Sequence, residues 1–204
     1  MKDAEIRQNF HRKILRRQHA RSDTLVIDEL GLNHGKCRAD IAVVNGHLVG
    51  YEIKSDNDSL RRLGLQVESY NAVFDRAFIV VGDRHIDSIQ DRIPEWWGVI
   101  ASSRGPRGAI NFSMIRKAQV NRSIDPVSVA RLLWRDEAVE ILHQRKLPPR
   151  ELRQPRIVLY KHLAELLNTY ELRKAVRGYL QKRRNWRCLE PPSRYDGLYP
   201  PAPT

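Results

Sequence analysis

The reading of this chain turns on Asp40-Ile-Ala-Val-Val-Asn-Gly-His-Leu-Val-Gly-Tyr-Glu52-Ile-Lys54. Two apolar runs flank Asn45-Gly46, a dipeptide that accepts the positive φ angles of tight hairpin turns. The segment therefore reads as two antiparallel strands, Asp40–Val44 and His47–Lys54. Alternate side chains of a strand share a face, so Glu52 and Lys54 point the same way. Whether Asp40 joins them depends on register. A strict two-residue turn pairs Val44 with His47, hence Asp40 with Tyr51, and sends Asp40 to the face opposite Glu52. A three-residue connection with a bulge pairs Asp40 with Glu52 directly, because a one-residue slip inverts facing. The second register sorts the side chains better. Ile41, Val43, Val49, Tyr51 and Ile53 then form a bulky apolar face. Asp40, Ala42, Gly50, Glu52 and Lys54 form the other, with small residues that leave room for a ligand. Leu48 alone sits awkwardly on that second face.

Two carboxylates a few ångströms apart repel each other and raise one pKa unless a cation lies between them. Oxygen ligands of this kind suit Mg²⁺ or Mn²⁺. Such a metal would polarise a phosphate and lower the pKa of a bound water. Lys54 would stabilise developing negative charge or orient the attacking water. A Glu-x-Lys tripeptide by itself is common and ordinarily marks an ion pair on an exposed strand. The acid one hairpin upstream and the helix just downstream give this one its weight.

Working outward, residues Asp3 to His19 read as a helix with Asp3 as N-cap and an Ile6–Phe10–Ile14 stripe against the sheet. Thr24–Leu30 reads as a strand, followed by a polar loop to Arg38. After the hairpin comes a long helix, capped by Asp58, with Leu60, Leu63, Val67, Tyr70 and Phe74 on one face. Ala77–Val81 is a buried strand. A short helix near His85–Arg92 leads to a strand Trp97–Ala101, and Ala109–Ile115 reads as an edge strand. The order α-β-β-β-α-β-α-β-β describes an α/β sandwich in which an antiparallel hairpin feeds a mixed sheet. Three divisions are expected: a core over 1–120, a basic helical C-terminal module over 121–189, and an extended or disordered Pro-rich tail over 190–204. Within the module, Asp125–Arg145 reads as one helix, broken by Pro148-Pro149, with further helices at Arg156–Asn168 and Tyr170–Arg183.

The 204 residues carry 36 Lys+Arg against 24 Asp+Glu, a formal net charge of +12. From Arg150 onward there are twelve Lys+Arg against five Asp+Glu. This balance favours a polyanionic partner, since each neutralised phosphate releases condensed counterions. DNA is the expected partner ahead of RNA, and a homodimer is compatible with the reading. No run approaches the ~18 apolar residues of a membrane span. The basic N-terminus lacks the apolar stretch of a signal peptide. Cys37 and Cys188 are far apart and outside any Cys-rich framework, so reduced thiols and a cytoplasmic location are expected. His34 and Cys37 have a loose ligand spacing, but no second pair completes a zinc site.

The ordered combination of a first helix with Glu5, then Arg38-Ala-Asp40-Ile-Ala-Val, Gly50-Tyr-Glu52-Ile-Lys54-Ser-Asp and Leu65-Gln66-x-x-x-Tyr70 resembles the PD-(D/E)XK nuclease superfamily. More closely, it resembles a small bacterial and phage family within it. The resemblance covers Lys2 to Ile115 and implies a restriction-endonuclease-like mixed-sheet sandwich flanked by helices, with a basic helical C-terminal extension. It implies that Asp40, Glu52 and the carbonyl of Ile53 bind metal and that Lys54 is the catalytic lysine. Glu5 matches an extra acid of resolvase-like members, and Gln66 a polar residue that supports the site. Ala39 stands where the motif's name has proline.

Each role has an ordinary alternative. Glu5 reads equally as a solvated first-turn acid favourable to the helix dipole, and Gln66 as an exposed polar residue. Tyr70 and the Trp96-Trp97 pair read as packing. Ser55 and Asp56 read as shaping the turn into the helix. Of Asp28 and Glu29, only one can share the site's face. The function expected is an Mg²⁺-dependent endonuclease acting on DNA. The alternatives are a catalytically inactive or regulatory DNA-binding module and a structure-specific resolvase or repair nuclease.

Overall fold

The computed structural model describes residues 1–183. The expected tail, the end of the helical module after 183, and Cys188 lie outside the described residues. The chain opens with α1 (Asp3–Lys13) and a one-turn α2 (Arg16–His19). Two strands follow, β1 (Leu25–Leu32) and β2 (Cys37–Val44), then β3 (Leu48–Lys54), α3 (Leu63–Asn71), β4 (Arg76–Gly82), the short α4 (Ile86–Ile89), β5 (Gly98–Arg104) and β6 (Ile110–Arg116). The C-terminal part is helical: α5 (Pro126–Ala130), α6 (Arg135–Gln144), α7 (Pro149–Leu152), α8 (Arg156–Leu166) and α9 (Thr169–Lys182).

The six strands form one mixed sheet in sequential order. β1, β2 and β3 pair antiparallel, β3, β4 and β5 parallel, and β6 closes antiparallel on β5. A mixed α/β sheet flanked by helices, as the pattern predicts, is therefore what the sequence builds. Across the hairpin Val44 pairs with Leu48, Val43 with Val49, Ala42 with Gly50 and Ile41 with Tyr51. The connection is thus the three-residue one, and the next step of this ladder sets Asp40 opposite Glu52. Asn45 accepts the His47 backbone N–H on its side-chain oxygen at 3.1 Å and donates its own N–H to the His47 carbonyl at 3.0 Å, which fixes the wider turn.

The two faces of the sheet carry two apolar clusters. On one, Ile6, Phe10 and Leu15 pack over Ile41, Val43, Tyr51 and Ile53. Leu15, fully buried, takes the place expected of Ile14, which is 37% exposed, because α1 stops at Lys13 and the chain turns. On the other face Ala42, Val44 and Leu48 pack with Tyr70, Phe74 and the C-terminal helices. Leu48, awkward in a ligand-facing row, is here a core residue. The room beside Gly50 is likewise used for packing: a Cβ on Gly50 would stand 2.7 Å from the Phe74 ring.

Several element boundaries differ from expectation. Asp58 does not cap a helix; its carboxylate accepts from the Ser55 N–H (2.7 Å) and hydroxyl (2.6 Å), and the chain enters α3 through a 3-10 turn at Leu60–Arg62. The helix expected over Asp125–Arg145 is two, α5 and α6, separated at 131–134. Leu133 turns into the core there and its carbonyl accepts from the Tyr160 hydroxyl at 2.9 Å. Tertiary burial overrides a continuous helical pattern at that point.

The helices that follow residue 120 pack onto the sheet. Leu133, Leu142, Leu159, Leu163, Leu172, Val176 and Leu180 lie in the same cluster as Ile27, Val44 and Phe74 of the first 120 residues. Asn121 ties the junction, its amide donating to the carbonyls of Asn71 (2.7 Å) and Phe74 (2.9 Å). Among the described residues no helix is long and apolar enough to cross a membrane.

Candidate active site

The site forms where β2 begins and β3 ends. The Ile53 backbone N–H donates to Asp40 Oδ2 at 2.7 Å. Because the N–H and C=O of one strand residue point to the same edge, the Ile53 carbonyl is also directed to the Asp40 side. Glu52, fully buried, is held on both oxygens. Its Oε1 accepts from Lys54 Nζ at 2.6 Å and from the Gln66 amide, and its Oε2 accepts from the Tyr70 hydroxyl at 2.8 Å. The Tyr70 oxygen also accepts from the Asp40 backbone N–H at 3.3 Å. Asp40, Glu52, Lys54 and Gln66 are thus brought together, with Ile53 in the backbone between the two carboxylates. Tyr70, read from the sequence as packing, is both: it is fully buried against Phe74 and Trp97 and its hydroxyl links Glu52 to Asp40. Its i+4 spacing from Gln66 on α3 is the signal that pairs the two.

Glu5 is not part of this cluster. Its carboxylate folds back to accept the Lys2 backbone N–H at 2.9 Å and pairs with Arg104 at 3.1 Å, with a side chain 45% exposed. It satisfies an otherwise unpaired donor at the start of α1, the ordinary role of an acid in a first helical turn. The residue of α1 that reaches the site is Arg7. Its guanidinium donates to Asp40 Oδ1 and to the Asp40 carbonyl, each at 2.9 Å, and pairs with Glu29 at 3.0 Å and Asp3 at 3.5 Å. No sequence motif marks Arg7; only its i+4 spacing from Asp3 hints that it belongs to an ionic network.

Asp28 and Glu29 both meet side chains of α1, contrary to the alternation expected of a strand. Glu29 has φ 57°, in the left-handed region, which breaks the alternation of β1. Asp28 is buried and bonds His11 Nε2 at 2.9 Å, while Glu29 pairs with Arg7 and with Arg38. His34 lies on the β1–β2 connection, and Cys37 opens β2. Among the described residues no three His, Cys, Asp or Glu side chains are arranged to hold a metal ion.

The electrostatics follow from burial. Asp40 is pushed up to about 7, first by burial and then by the charge of Glu52, against the lowering effects of the Ile53 N–H and Arg7. Glu52 is also raised by burial, with Lys54 pulling the other way. Tyr70 is raised well above its ordinary value by burial and by Glu52. Two desolvated carboxylates sharing a site favour the uptake of a proton or a cation. The donor set fits a hard divalent cation: two carboxylates and one directed carbonyl, the remaining positions being those such ions fill with water or phosphate oxygen. Arg7 competes for the same charge on Asp40. A cleft of about 570 Å³ opens beside the cluster, lined by Asp40 and Gln66 together with Glu29, Lys36, Arg38, Arg62 and Ser69.

Fold and site together define a mixed α/β protein with a carboxylate pair and a lysine gathered at one strand end. The chain belongs to the family described as Bacteriophage P4 protein cII, which it matches over residues 2–189. It is 29% identical over 123 residues to Protein cII of Enterobacteria phage P4, covering 60% of this chain and 46% of that protein. The chain therefore spans less than half the length of that relative. The family is a phage-related one, in keeping with the bacterial and phage resemblance, and its model is not a PD-(D/E)XK model. Among solved structures, Pyrococcus furiosus SfsA in complex with Ca²⁺ matches at a TM-score of 0.36 and 15% identity, covering 57% of this chain and 65% of that one, a likeness too slight to argue from.

Proposed function

We propose that the protein is a divalent-metal-dependent nuclease that hydrolyses phosphodiester bonds in DNA. The observation that carries this reading is the convergence of Asp40, Glu52 and Lys54 beside an open cleft. Asp40, Glu52 and the Ile53 carbonyl would hold Mg²⁺ or Mn²⁺, which when bound polarises a phosphate and makes a water acidic enough to attack. Lys54, held at 2.6 Å from Glu52, would stabilise charge developing on the phosphate. Gln66 and Tyr70 fix the Glu52 carboxylate. Lys36, Arg38 and Arg62 offer phosphate contacts along the cleft wall.

A regulatory DNA-binding module is the second reading. The Arg7–Asp40 pair favours it, since a guanidinium already neutralises the acid that a metal would use. The resolvase reading loses its support, because Glu5 is engaged with Lys2 and Arg104.

The test is cleavage of plasmid, linear, single-stranded and branched DNA with Mg²⁺, Mn²⁺ or EDTA, comparing wild type with Lys54→Ala and Glu52→Ala. Metal-dependent cleavage that falls by roughly 10²–10³ in Lys54→Ala, with DNA affinity nearly unchanged, is the expected result. If wild type cuts nothing and Glu52→Ala leaves metal binding unchanged, the binding-module reading takes its place.

A further inference from the structure

At the opposite end of β3 from Glu52 and Lys54, basic side chains gather round one buried carboxylate. Asp75, 1% exposed, accepts the Leu48 N–H on Oδ2 at 2.6 Å and pairs through Oδ1 with Arg173 of α9. Arg177 Nη1 and His47 Nδ1 each stand 3.8 Å from Oδ2. Arg76 is the next residue in the chain. One negative charge thus faces the guanidiniums of Arg173 and Arg177 and the His47 imidazole, and Arg76 stands on β4 in register with Val49 of β3.

The excess is not compensated within the described residues. There Arg76 has no side-chain hydrogen bond or ion pair, and its Nε is shut away from solvent without a partner. The Arg177 side chain is 14% exposed, and its one ionic contact is the loose one to Asp75. The Nε of Arg173 is also buried and unpaired. Taking guanidinium groups out of water without an anion costs free energy. The basic groups register it. Burial pushes Arg177 down, and burial and then Arg177 push Arg173 down. His47 is lowered by burial and then by Arg76, Arg177 and Arg173.

We propose that Arg76, Arg177 and His47, backed by the Arg173–Asp75 pair, form an oxyanion site that takes a phosphate group. The planar fork of an arginine matches phosphate oxygens in bidentate fashion, and two arginines with the more exposed His47 supply donors from three elements: β4, α9 and the β2–β3 connection. The site is separate from the cleft, since four strand residues of β3 put Leu48 about 13 Å from Glu52. It stands whether or not the cleft cuts DNA. The phosphate is either a free ion or part of a nucleic-acid backbone, and the experiment distinguishes the two.

The full chain is titrated calorimetrically with inorganic phosphate at constant ionic strength. Separately, its affinity for a short fluorescent duplex is measured across a salt series in EDTA, where metal-dependent cleavage cannot interfere. The variants are Arg76→Gln/Arg177→Gln and Arg76→Lys/Arg177→Lys; Arg173 is left in place because it holds Asp75. Arg150→Ala/Arg153→Ala, on the exposed surface of the helical part, serves as the control for charge alone. The proposal expects wild type to bind phosphate saturably and the glutamine pair to lose at least tenfold in affinity, or the glutamine pair to flatten the salt slope by about one to two phosphate contacts. The lysine pair keeps most of either response. A phosphate response alone assigns a free ion, and a slope change alone assigns nucleic-acid backbone. If wild type shows no saturable phosphate binding and the slope matches that of the Arg150/Arg153 control, the proposal is overturned. Should the glutamine pair not fold, Arg177→Gln alone is read in the same way.

Discussion

Asp40 and Ile53 are joined by a hydrogen bond of 2.7 Å from the Ile53 backbone N–H to Asp40 Oδ2. The bond extends the β2–β3 ladder beyond its last backbone pair, with a side chain in place of a main-chain acceptor. It brings the Asp40 carboxylate to the strand edge beside Glu52 and holds it there. The same contact opposes the burial and the Glu52 charge that raise Asp40, and so moderates the proton affinity of the site.

That proton affinity predicts a pH dependence. The folded value of Asp40, about 7, lies above its ordinary 3.8, so between those values the folded protein binds more protons than the unfolded chain. Stability from this group is present at low pH and falls as pH rises through that window. In EDTA, wild type should lose stability between about pH 4 and 7 relative to Asp40→Asn, whose profile is flatter. Thermal unfolding across pH measures both. Superimposable profiles would show that Asp40 does not titrate high. Mn²⁺ added near pH 6 should release protons, measurable by calorimetry in buffers of different ionisation enthalpy.

Arg7 is predicted to act as the resident counter-charge for Asp40 and Glu29. Arg7→Met keeps much of the side-chain volume while leaving Asp40 without its cation and Glu29 with Arg38 alone. Since both partners are mostly buried, the loss in EDTA should be about 2–3 kcal/mol. If Asp40 is a metal ligand, Mn²⁺ should restore part of that stability in the variant and bind it more tightly than wild type. Urea unfolding with and without metal gives both numbers. An equal Mn²⁺ effect on the two proteins would count against Asp40 as a ligand.

A chain ending at Val120 should not fold cooperatively. Leu172, Val176 and Leu180 of α9, with Leu133 and Leu163, are fully or almost fully buried in the cluster that contains Val44, Leu48 and Phe74. Removing them exposes apolar surface worth about 25 cal/mol per Å². The expected outcome is aggregation or a dye-binding state without a sharp melting transition. A soluble fragment with a sharp transition would show that the sheet holds without its helical cover.

The sequence determined a good deal. Alternation of apolar residues through Asp40–Lys54 selected the three-residue connection, because only that register keeps Ile41, Val43, Tyr51 and Ile53 on one buried face. That choice also set Asp40 beside Glu52. The elements and the α/β class followed from periodicity, which is a local property. What tertiary structure decided was everything that depends on which distant side chain arrives at a given point. Glu5 and Arg7 lie two residues apart on α1, about 200° of rotation, and the docking angle of the helix sends one to Arg104 and the other to Asp40. The left-handed backbone at Glu29 let two consecutive acids meet the same helix, which strand alternation forbids. Gly50 reads as part of a ligand-facing row, with Leu48 awkward in it, but Phe74 packs on Gly50 and Leu48 joins the same core cluster. The break between α5 and α6 has the same origin, a burial requirement at Leu133 imposed from α8. Local pattern fixes which residues face together along one element, whereas the partner across a packed interface is set by the whole chain's geometry, and that is where Arg7, Tyr70 and the cluster around Asp75 came into view.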